Sequence, residues 1–73
     1  MKWYREANGY ALLKAEPGWT VVRVSDGHVS GAMPRDRGWH GKREDLEEVV
    51  PRWYSKSHAW ETWQRLSRRR RNW

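Results

Sequence analysis

The stretch Thr20-Val21-Val22-Arg23-Val24-Ser25-Asp26-Gly27-His28-Val29-Ser30-Gly31 decides the fold of this chain. Apolar and polar residues alternate on both sides of Asp26-Gly27, a dipeptide that favours the two-residue type I′ turn of a β-hairpin. If the chain folds at this turn, Val24 lies opposite Val29, on the other side of the ribbon from Arg23. The stretch therefore predicts a hairpin with one buried side.

Two further turn signals extend this hairpin towards the N-terminus. Asn8-Gly9 favours a second two-residue turn, and Pro17-Gly18 connects the two hairpins. Folding at Asn8-Gly9 places Tyr4 opposite Leu13, which assigns Tyr4 to the buried side. The predicted strands are about residues 3–7, 10–16, 19–25 and 28–33. Residues 34–41 contain three of the turn-forming Pro and Gly residues and are predicted to form a loop.

Two helices are predicted after this loop. The first spans about residues 42–50 and ends before Pro51, because a proline disfavours helical geometry at the residue that precedes it. The second begins at a serine cap, Ser55 or Ser57. Its apolar stripe consists of Ala59, Trp60, Trp63 and Leu66. The predicted fold class is α+β: an antiparallel meander of three or four strands, followed by two helices packed on one face of the sheet.

The length of 73 residues bounds the chain to one small domain. We assign residues 1–67 to this domain and residues 68–73 to a basic C-terminal tail. Small domains are often stabilised by disulfides, but this chain has no cysteine. We therefore expect the buried area of its seven tryptophans to supply the stability instead. No apolar run approaches the roughly 20 residues of a membrane span, and the first residues lack the apolar segment of a signal peptide. We therefore expect a cytoplasmic protein with no membrane partner.

The surplus positive charge is concentrated near the C-terminus. The formal net charge is +6, and residues 55–73 carry six basic side chains and one acidic side chain. Arginine forms bidentate hydrogen bonds with phosphate groups, and each such contact releases counterions from the nucleic acid, which favours binding. Three interpretations stay open: contact with nucleic acid, a solvated helix end whose cations complement the helix dipole, and attraction to an acidic protein or membrane surface. We favour the first, with DNA or RNA as the partner.

The predicted nucleic-acid contacts fall in two segments. Arg65 and the arginines of the tail are expected to hold phosphates, and the loop around Trp39 is expected to form a second contact. Trp39 is the tryptophan most expected to be exposed, because it lies between Gly38 and His40. The nucleic-acid-binding residues are Arg65, Arg68, Arg69, Arg70, Arg71, Arg35, Arg37 and Trp39.

No residue pattern predicts an active site. His40 and Glu44 have the spacing of a helical acid–base pair, but Gly41 places His40 in the loop. The acidic residues Glu44, Asp45, Glu47 and Glu48 are interleaved with an apolar stripe, which is typical of a solvated helix face rather than of a cation site. The three histidines are far apart in the sequence and lack a metal-ligand spacing. We expect no enzymatic activity, no cofactor and no metal site.

The segment Gly9-Tyr10-Ala11-Leu12-Leu13-Lys14-Ala15-Glu16-Pro17-Gly18-Trp19-Thr20-Val21-Val22-Arg23-Val24, followed by Asp26-Gly27, resembles small accessory proteins of phages that infect high-GC actinobacteria. The resemblance covers about the first half of the chain. It implies a short sheet followed by a helix, a phage origin, and action in the host cytoplasm by binding a host protein or nucleic acid. The excess of arginine over lysine, 11 to 4, is the balance that GC-rich codons favour.

Two alternatives to nucleic-acid binding stay open. The aromatic excess and the Trp39 loop also fit a phage-encoded protein-interaction module that binds and modulates a host protein. A homodimer through a free strand edge, either Trp3–Ala7 or His28–Met33, is a further arrangement.

Overall fold

A computed structural model describes residues 1–68 of the chain. Within them, five antiparallel strands form one sheet whose strands follow one another in chain order. The strands are β1 (Lys2–Ala7), β2 (Tyr10–Ala15), β3 (Gly18–Ser25), β4 (His28–Gly31) and β5 (His40–Lys42). Two helices follow, α1 (Leu46–Val49) and α2 (Lys56–Ser67). The α+β class and the meander are confirmed, with one strand more than predicted.

Both predicted hairpin turns form. The two residues of each turn, Asn8-Gly9 and Asp26-Gly27, have positive φ angles, which is what a type I′ turn requires. Val24 consequently pairs with Val29, as the alternation predicts. Local turn chemistry therefore determines the pairing of β3 with β4.

A bulge in β1 changes the predicted position of Tyr4. Trp3 pairs with Leu13 and Arg5 pairs with Leu12, so Tyr4 is the extra residue of a β-bulge. The prediction that Tyr4 lies opposite Leu13 in the core is wrong, because Trp3 takes that position. Tyr4 is instead 41% exposed.

The segment predicted as a loop, residues 34–41, leads into the fifth strand. Gly41 pairs with Val29, and a Cβ at Gly41 would lie 3.2 Å from a methyl carbon of Val49, so the glycine lets α1 approach the sheet. A three-residue strand with a central glycine lacks the alternation that identifies strands in a sequence. Because β5 covers β4, the segment His28–Met33 is not the free edge proposed for a dimer, whereas β1 is an edge strand.

The sheet is covered on both faces, and each face has its own apolar cluster. On the α1 face the buried residues are Ala11, Leu13, Val22, Val29, Leu46 and Val50. On the α2 face they are Leu12, Trp19, Val21, Ala32, Met33 and Ala59. This arrangement differs from the predicted one, in which both helices cover one face. The consecutive residues Leu12 and Leu13 are both fully buried, and neighbours in a strand point to opposite sides of the sheet.

The end of α1 and the start of α2 follow the predicted signals, whereas α1 begins at Leu46 and not at about residue 42. Val50 is extended before Pro51, and a 3-10 turn at Arg43–Asp45 precedes α1, so the first helix is shorter than predicted. The hydroxyl of Ser55 accepts a hydrogen bond from the backbone N–H of His58 at 3.2 Å, which confirms the serine cap of α2. In the part of the chain that the structure describes, no helix has the length and apolar character needed to cross a membrane.

Candidate functional site

The charged side chains of the strands are separated between the two faces of the sheet. The strand cations are Lys2, Arg5, Lys14, Arg23 and Lys42. Directly paired residues lie on the same face, and alternate residues along a strand share a face. Leu12 belongs to the α2-face cluster and therefore identifies that face. When the strand pairs are followed from Leu12 across the sheet, all five cations lie on the α2 face. The one strand carboxylate, Glu6, pairs with Ala11 and lies on the α1 face.

Acidic side chains lie on or beside the α1 face. The exposed carboxylates of Glu44, Asp45, Glu47 and Glu48 belong to α1 and the turn before it. The one basic residue of that turn, Arg43, lies 3.8 Å from the Glu6 carboxylate and 4.0 Å from the centre of the Trp3 ring. Among residues 1–68, no strand cation of the α2 face forms an ion pair. The positive charge of that face is therefore not neutralised by a direct carboxylate contact.

A groove runs beside α2 on the half of the sheet that the helix leaves open. The helix packs on β2 and β3. The groove has a volume of about 340 Å³ and is lined by Tyr10, Arg23, Ser30, Gly31, Ala32, Arg37 and Leu66. Its two charged lining residues, Arg23 and Arg37, are both arginines. We call it the arginine groove.

A second pocket adjoins the arginine groove and shares Arg23 and Ser30 with it. It has a volume of about 260 Å³ and is lined by Arg23, Ser25, His28, Val29, Ser30 and His40. The ring centres of His28 and His40 lie 6.0 Å apart. These histidines are distant in the sequence, and the pairing of β4 with β5 brings them together. We call this site the imidazole pocket.

An aromatic cluster surrounded by cations lies where β1 and the start of β3 meet the N-terminal half of α2. The Tyr4 ring packs edge-to-face against Trp19 at 5.1 Å and Trp60 at 5.7 Å between ring centres. We call these three residues the aromatic ledge. The cations over its rings, at 5.3 to 5.9 Å, are Lys2, Arg5, Lys14 and Lys56. The α2 face thus carries a second basic region besides the arginine groove.

The structure brings one of the predicted arginines to the arginine groove. Arg37 lines it. Arg65 and Arg68 are exposed at the C-terminal end of α2, and no carboxylate of residues 1–68 pairs with either. The other predicted tail contacts, Arg69, Arg70 and Arg71, lie outside the described residues.

Trp39 and Arg35 do not line the groove. Trp39 is half-buried against the α1-face cluster, and a Cβ at Gly31 would lie 2.6 Å from its indole nitrogen. The expectation of an exposed Trp39 is therefore wrong, because the glycine lets its ring lie against the sheet. Arg35 is exposed and lies near Tyr54. A contact of either residue with nucleic acid stays a prediction.

A buried carboxylate fixes the loop that carries Arg37. The Asp36 side chain is fully buried, and its Oδ1 lies 3.2 Å from Nε of Arg52. Burial, followed by the neighbouring Asp36 carboxylate, raises the pKa of Tyr54 above its ordinary value of 10.0. These contacts tie the loop to the segment that precedes α2, and they hold Arg37 at the groove.

Sequence reasoning missed the residues of β3, β4 and β5 that form the two open sites. The alternation of apolar and polar residues placed Arg23 and Ser30 on the polar side of the hairpin. This was the signal by which these two residues could have been identified as part of a surface site. Their neighbours His40 and Lys42 gave no such signal, because β5 itself was not predicted. The chain matches no protein-family model, curated protein or solved structure.

Proposed function

We propose that this protein is a small non-catalytic module that binds the phosphate backbone of nucleic acid through the α2 face and the C-terminal end of α2. The observation that supports it is the placement of all five strand cations on one face, away from the acidic residues of α1. Unneutralised Lys and Arg side chains gain affinity for nucleic acid because each phosphate contact releases counterions.

The arginine groove is the proposed centre of this contact. The Trp63 indole N–H donates a hydrogen bond to the Tyr10 carbonyl at 3.0 Å, and the Asn8 side-chain amide donates to the Ser67 carbonyl. Tyr10 is the strand partner of Arg23, so the last turn of α2 is held beside the strand position of Arg23. Arg65 and Arg68 are exposed at this end of the helix, and in the proposal they add phosphate contacts to those of the groove. In the proposal, Arg69, Arg70 and Arg71 extend these contacts.

The aromatic ledge adds a means of binding unpaired bases. Tyr4 is 41% exposed, Lys2 lies over its ring, and Arg5 lies over the neighbouring ring of Trp60. Stacking of a base on an aromatic side chain is worth about 1–3 kcal/mol and tolerates any sequence. A single strand has exposed bases, so the proposal is tested with single strands and duplexes side by side.

The proposal includes the origin and place of action that the sequence resemblance implies. We infer a phage-encoded protein acting in the host cytoplasm, supported by the segment from Gly9 to Val24 and by the excess of arginine over lysine. Genes for phage structural or replication proteins next to this gene would support the origin, and a chromosomal housekeeping neighbourhood would contradict it.

The direct test is a titration of labelled oligonucleotides with the full chain at about 50 mM and 200 mM salt. For a duplex, the logarithm of the binding constant falls with the logarithm of the salt concentration by about 0.9 per phosphate neutralised. Arg23→Gln should weaken binding and reduce this slope by about 1. Arg43→Gln removes the same charge from the α1 side, and it should leave the slope unchanged.

Two results would contradict the proposal. One is the absence of binding to both strands and duplexes at the lower salt concentration. The other is an equal effect of Arg23→Gln and Arg43→Gln, because net charge alone would then account for the affinity. Circular dichroism spectra of both variants check that the fold is retained.

A host protein is the second candidate partner, and the aromatic ledge is the observation that favours it. Tyr and Trp are enriched at protein interfaces, and Trp60 lines a shallow surface depression with Lys56 and Glu61. Nuclease-treated host lysate passed over the immobilised chain should then yield one stoichiometric partner. Loss of that partner with Tyr4→Ala, but not with Arg23→Gln, would assign the ledge to protein binding.

A further inference from the structure

The polar groups that line the imidazole pocket can all donate hydrogen bonds. A guanidinium from Arg23, two hydroxyls from Ser25 and Ser30, and the rings of His28 and His40 line it. No carboxylate is among the lining residues in the part of the chain that the structure describes. A cavity of about 260 Å³ with these groups is chemically complementary to a tetrahedral oxyanion.

The two imidazoles are held side by side by the sheet. His40 on β5 pairs with Ser30 on β4. His28 lies two residues before Ser30 on β4, so it is on the same face of the sheet as His40. Their ring planes are inclined by 36° at 6.0 Å between centres. Both residues are exposed, and within residues 1–68 neither ring has a hydrogen-bond or ion-pair partner.

The charged groups around the pair are mostly basic. Arg23 faces it from β3, and Lys42 from β5 is the strand partner of His28. The carboxylate nearest along the chain is Asp26 in the turn between β3 and β4, where it is exposed and is not part of the pocket lining. One arginine and one lysine charge therefore lie beside the two imidazoles, and no carboxylate of residues 1–68 lines the site.

We propose that the imidazole pocket binds a phosphate group and that binding strengthens as the pH falls from about 8 to about 5. Histidine is the side chain that ordinarily gains its positive charge in this interval. A protonated imidazole donates from both nitrogens, and a phosphate in contact with the exposed edges of both rings favours that state by direct charge interaction. The inference rests on the proposed function when the phosphate belongs to a nucleic-acid backbone, whereas free phosphate at about pH 5.5 is a monoanion like the backbone diester and tests the pocket by itself.

A metal ion fits these groups less well than phosphate does. Zinc sites in proteins hold at least three protein ligands. Among the described residues, no group of three His, Cys, Asp or Glu side chains comes together. The Arg23 guanidinium in the lining would also repel a cation that the imidazoles bound.

The first experiment measures oligonucleotide binding by the full chain at about pH 5.5 and about pH 8, at constant ionic strength and with a pH-insensitive label. Wild type should bind about tenfold tighter at the lower pH, which corresponds to one charge-assisted hydrogen bond. The double variant His28→Asn with His40→Asn should lose this pH dependence. His58→Asn is the matched control, because His58 lies on α2 against the Tyr54 ring and outside the pocket.

The outcomes separate this inference from the proposed function. If the double variant binds with unchanged pH dependence, the pocket proposal is overturned and nucleic-acid binding stands. If His58→Asn abolishes the dependence as well, a general charge effect replaces the pocket. If no oligonucleotide binds at either pH, the proposed function fails, and the second experiment alone decides about the pocket.

The second experiment adds inorganic phosphate to the protein at about pH 5.5 and follows the ring proton signals of the three histidines by NMR. Saturable shifts of His28 and His40, without a shift of His58, support the pocket, and sodium chloride at equal ionic strength should not reproduce them. Absence of these shifts overturns the proposal. A stoichiometric response to zinc chloride in place of phosphate also overturns it, in favour of a metal site.

Discussion

Replacing Gly31 with alanine should destabilise the fold by about 3 kcal/mol, because the loop of residues 34–39 lies directly on this glycine. An added Cβ would overlap the Asp36 carbonyl oxygen and would lie 2.6 Å from Nε1 of Trp39. The Gly31 N–H also donates a hydrogen bond to the Trp39 carbonyl at 3.1 Å. The ion pair between Arg52 and Asp36, at 3.2 Å, opposes a retreat of the loop from Gly31.

The magnitude follows from these contacts. Overpacking of a well-packed site costs about 1–3 kcal/mol, and an obstacle made of backbone atoms places this site at the upper end. Weakening the hydrogen bond to Trp39 adds about 1 kcal/mol if the loop shifts to relieve the overlap. A domain of this size has a free energy of unfolding on the order of 5 kcal/mol. A loss of about 3 kcal/mol raises the unfolded fraction roughly 100-fold.

Urea unfolding followed by tryptophan fluorescence measures this loss as a lower midpoint at an unchanged slope. Gly38→Ala is the matched control in the same loop, because no atom lies within 4 Å of its added Cβ and its φ is not positive. The control should be neutral or stabilising by about 0.4–1 kcal/mol. Equal midpoints for Gly31→Ala and wild type would refute the packing of this loop on Gly31, and with it the positioning of Arg37 at the arginine groove.

Three further predictions test other parts of the structure. Ser55→Ala should cost about 1 kcal/mol by removing the cap of α2, seen as a lower melting temperature by circular dichroism; an unchanged melting temperature would contradict the cap. Burial, and then the Asp36 carboxylate, raises the pKa of Tyr54. Above pH 10 the folded state therefore binds more protons than the unfolded state. The free energy of unfolding should fall as the pH rises further. Urea midpoints across the alkaline range measure this fall, and Tyr54→Phe should reduce it. Tyr4→Ala should cost about 0.5–1.5 kcal/mol for each edge-to-face contact and should shift the fluorescence of Trp60, whereas Tyr4→Phe keeps both contacts.

The parts of the fold that depend on neighbouring residues could be predicted from the sequence. Asn8-Gly9 and Asp26-Gly27 specify their turns locally, since few residues adopt positive φ without strain. Pro51 ends the first helix and Ser55 begins the second for equally local reasons. These signals fix the order of the elements and the pairing of β3 with β4.

The parts that depend on distant residues could not be predicted. Gly41 belongs to a strand because β4 offers a free edge and because Val49 packs where a side chain would be. Leu12 is buried because α2 returns to the face opposite that of Leu13, and no local pattern states which face a later helix covers. Apolar residues on both sides of a strand are the signature of a sheet with two covered faces.

The candidate site was predicted only in part, and for the same reason. Arg37 belongs to a loop whose composition indicated a surface contact, whereas the groove it lines depends on where Leu66 and Arg23 meet. Trp39 was expected to be exposed because its neighbours in the sequence are small or polar. Its ring is half-buried instead, because Gly31 has no side chain and leaves space for it against the sheet. Glycines in a strand mark such close approaches, which makes Gly31 the signal that sequence reasoning passed over.

The bulge at Tyr4 connects the fold to the charge pattern. If Tyr4 paired regularly with Leu13 instead of forming a bulge, the ladder would place Trp3 on the α2 face and Lys2 on the α1 face, since a slip of one residue reverses the sides. With the bulge, Trp3 packs in the α1-face cluster beneath Arg43, and Lys2 lies with the other strand cations. The bulge in β1 therefore completes the α1-face core and the cationic α2 face together. Deletion of Tyr4 should preserve both faces, because Trp3 would still pair with Leu13 and Arg5 with Leu12, and it should remove only the Tyr4 ring from the aromatic ledge.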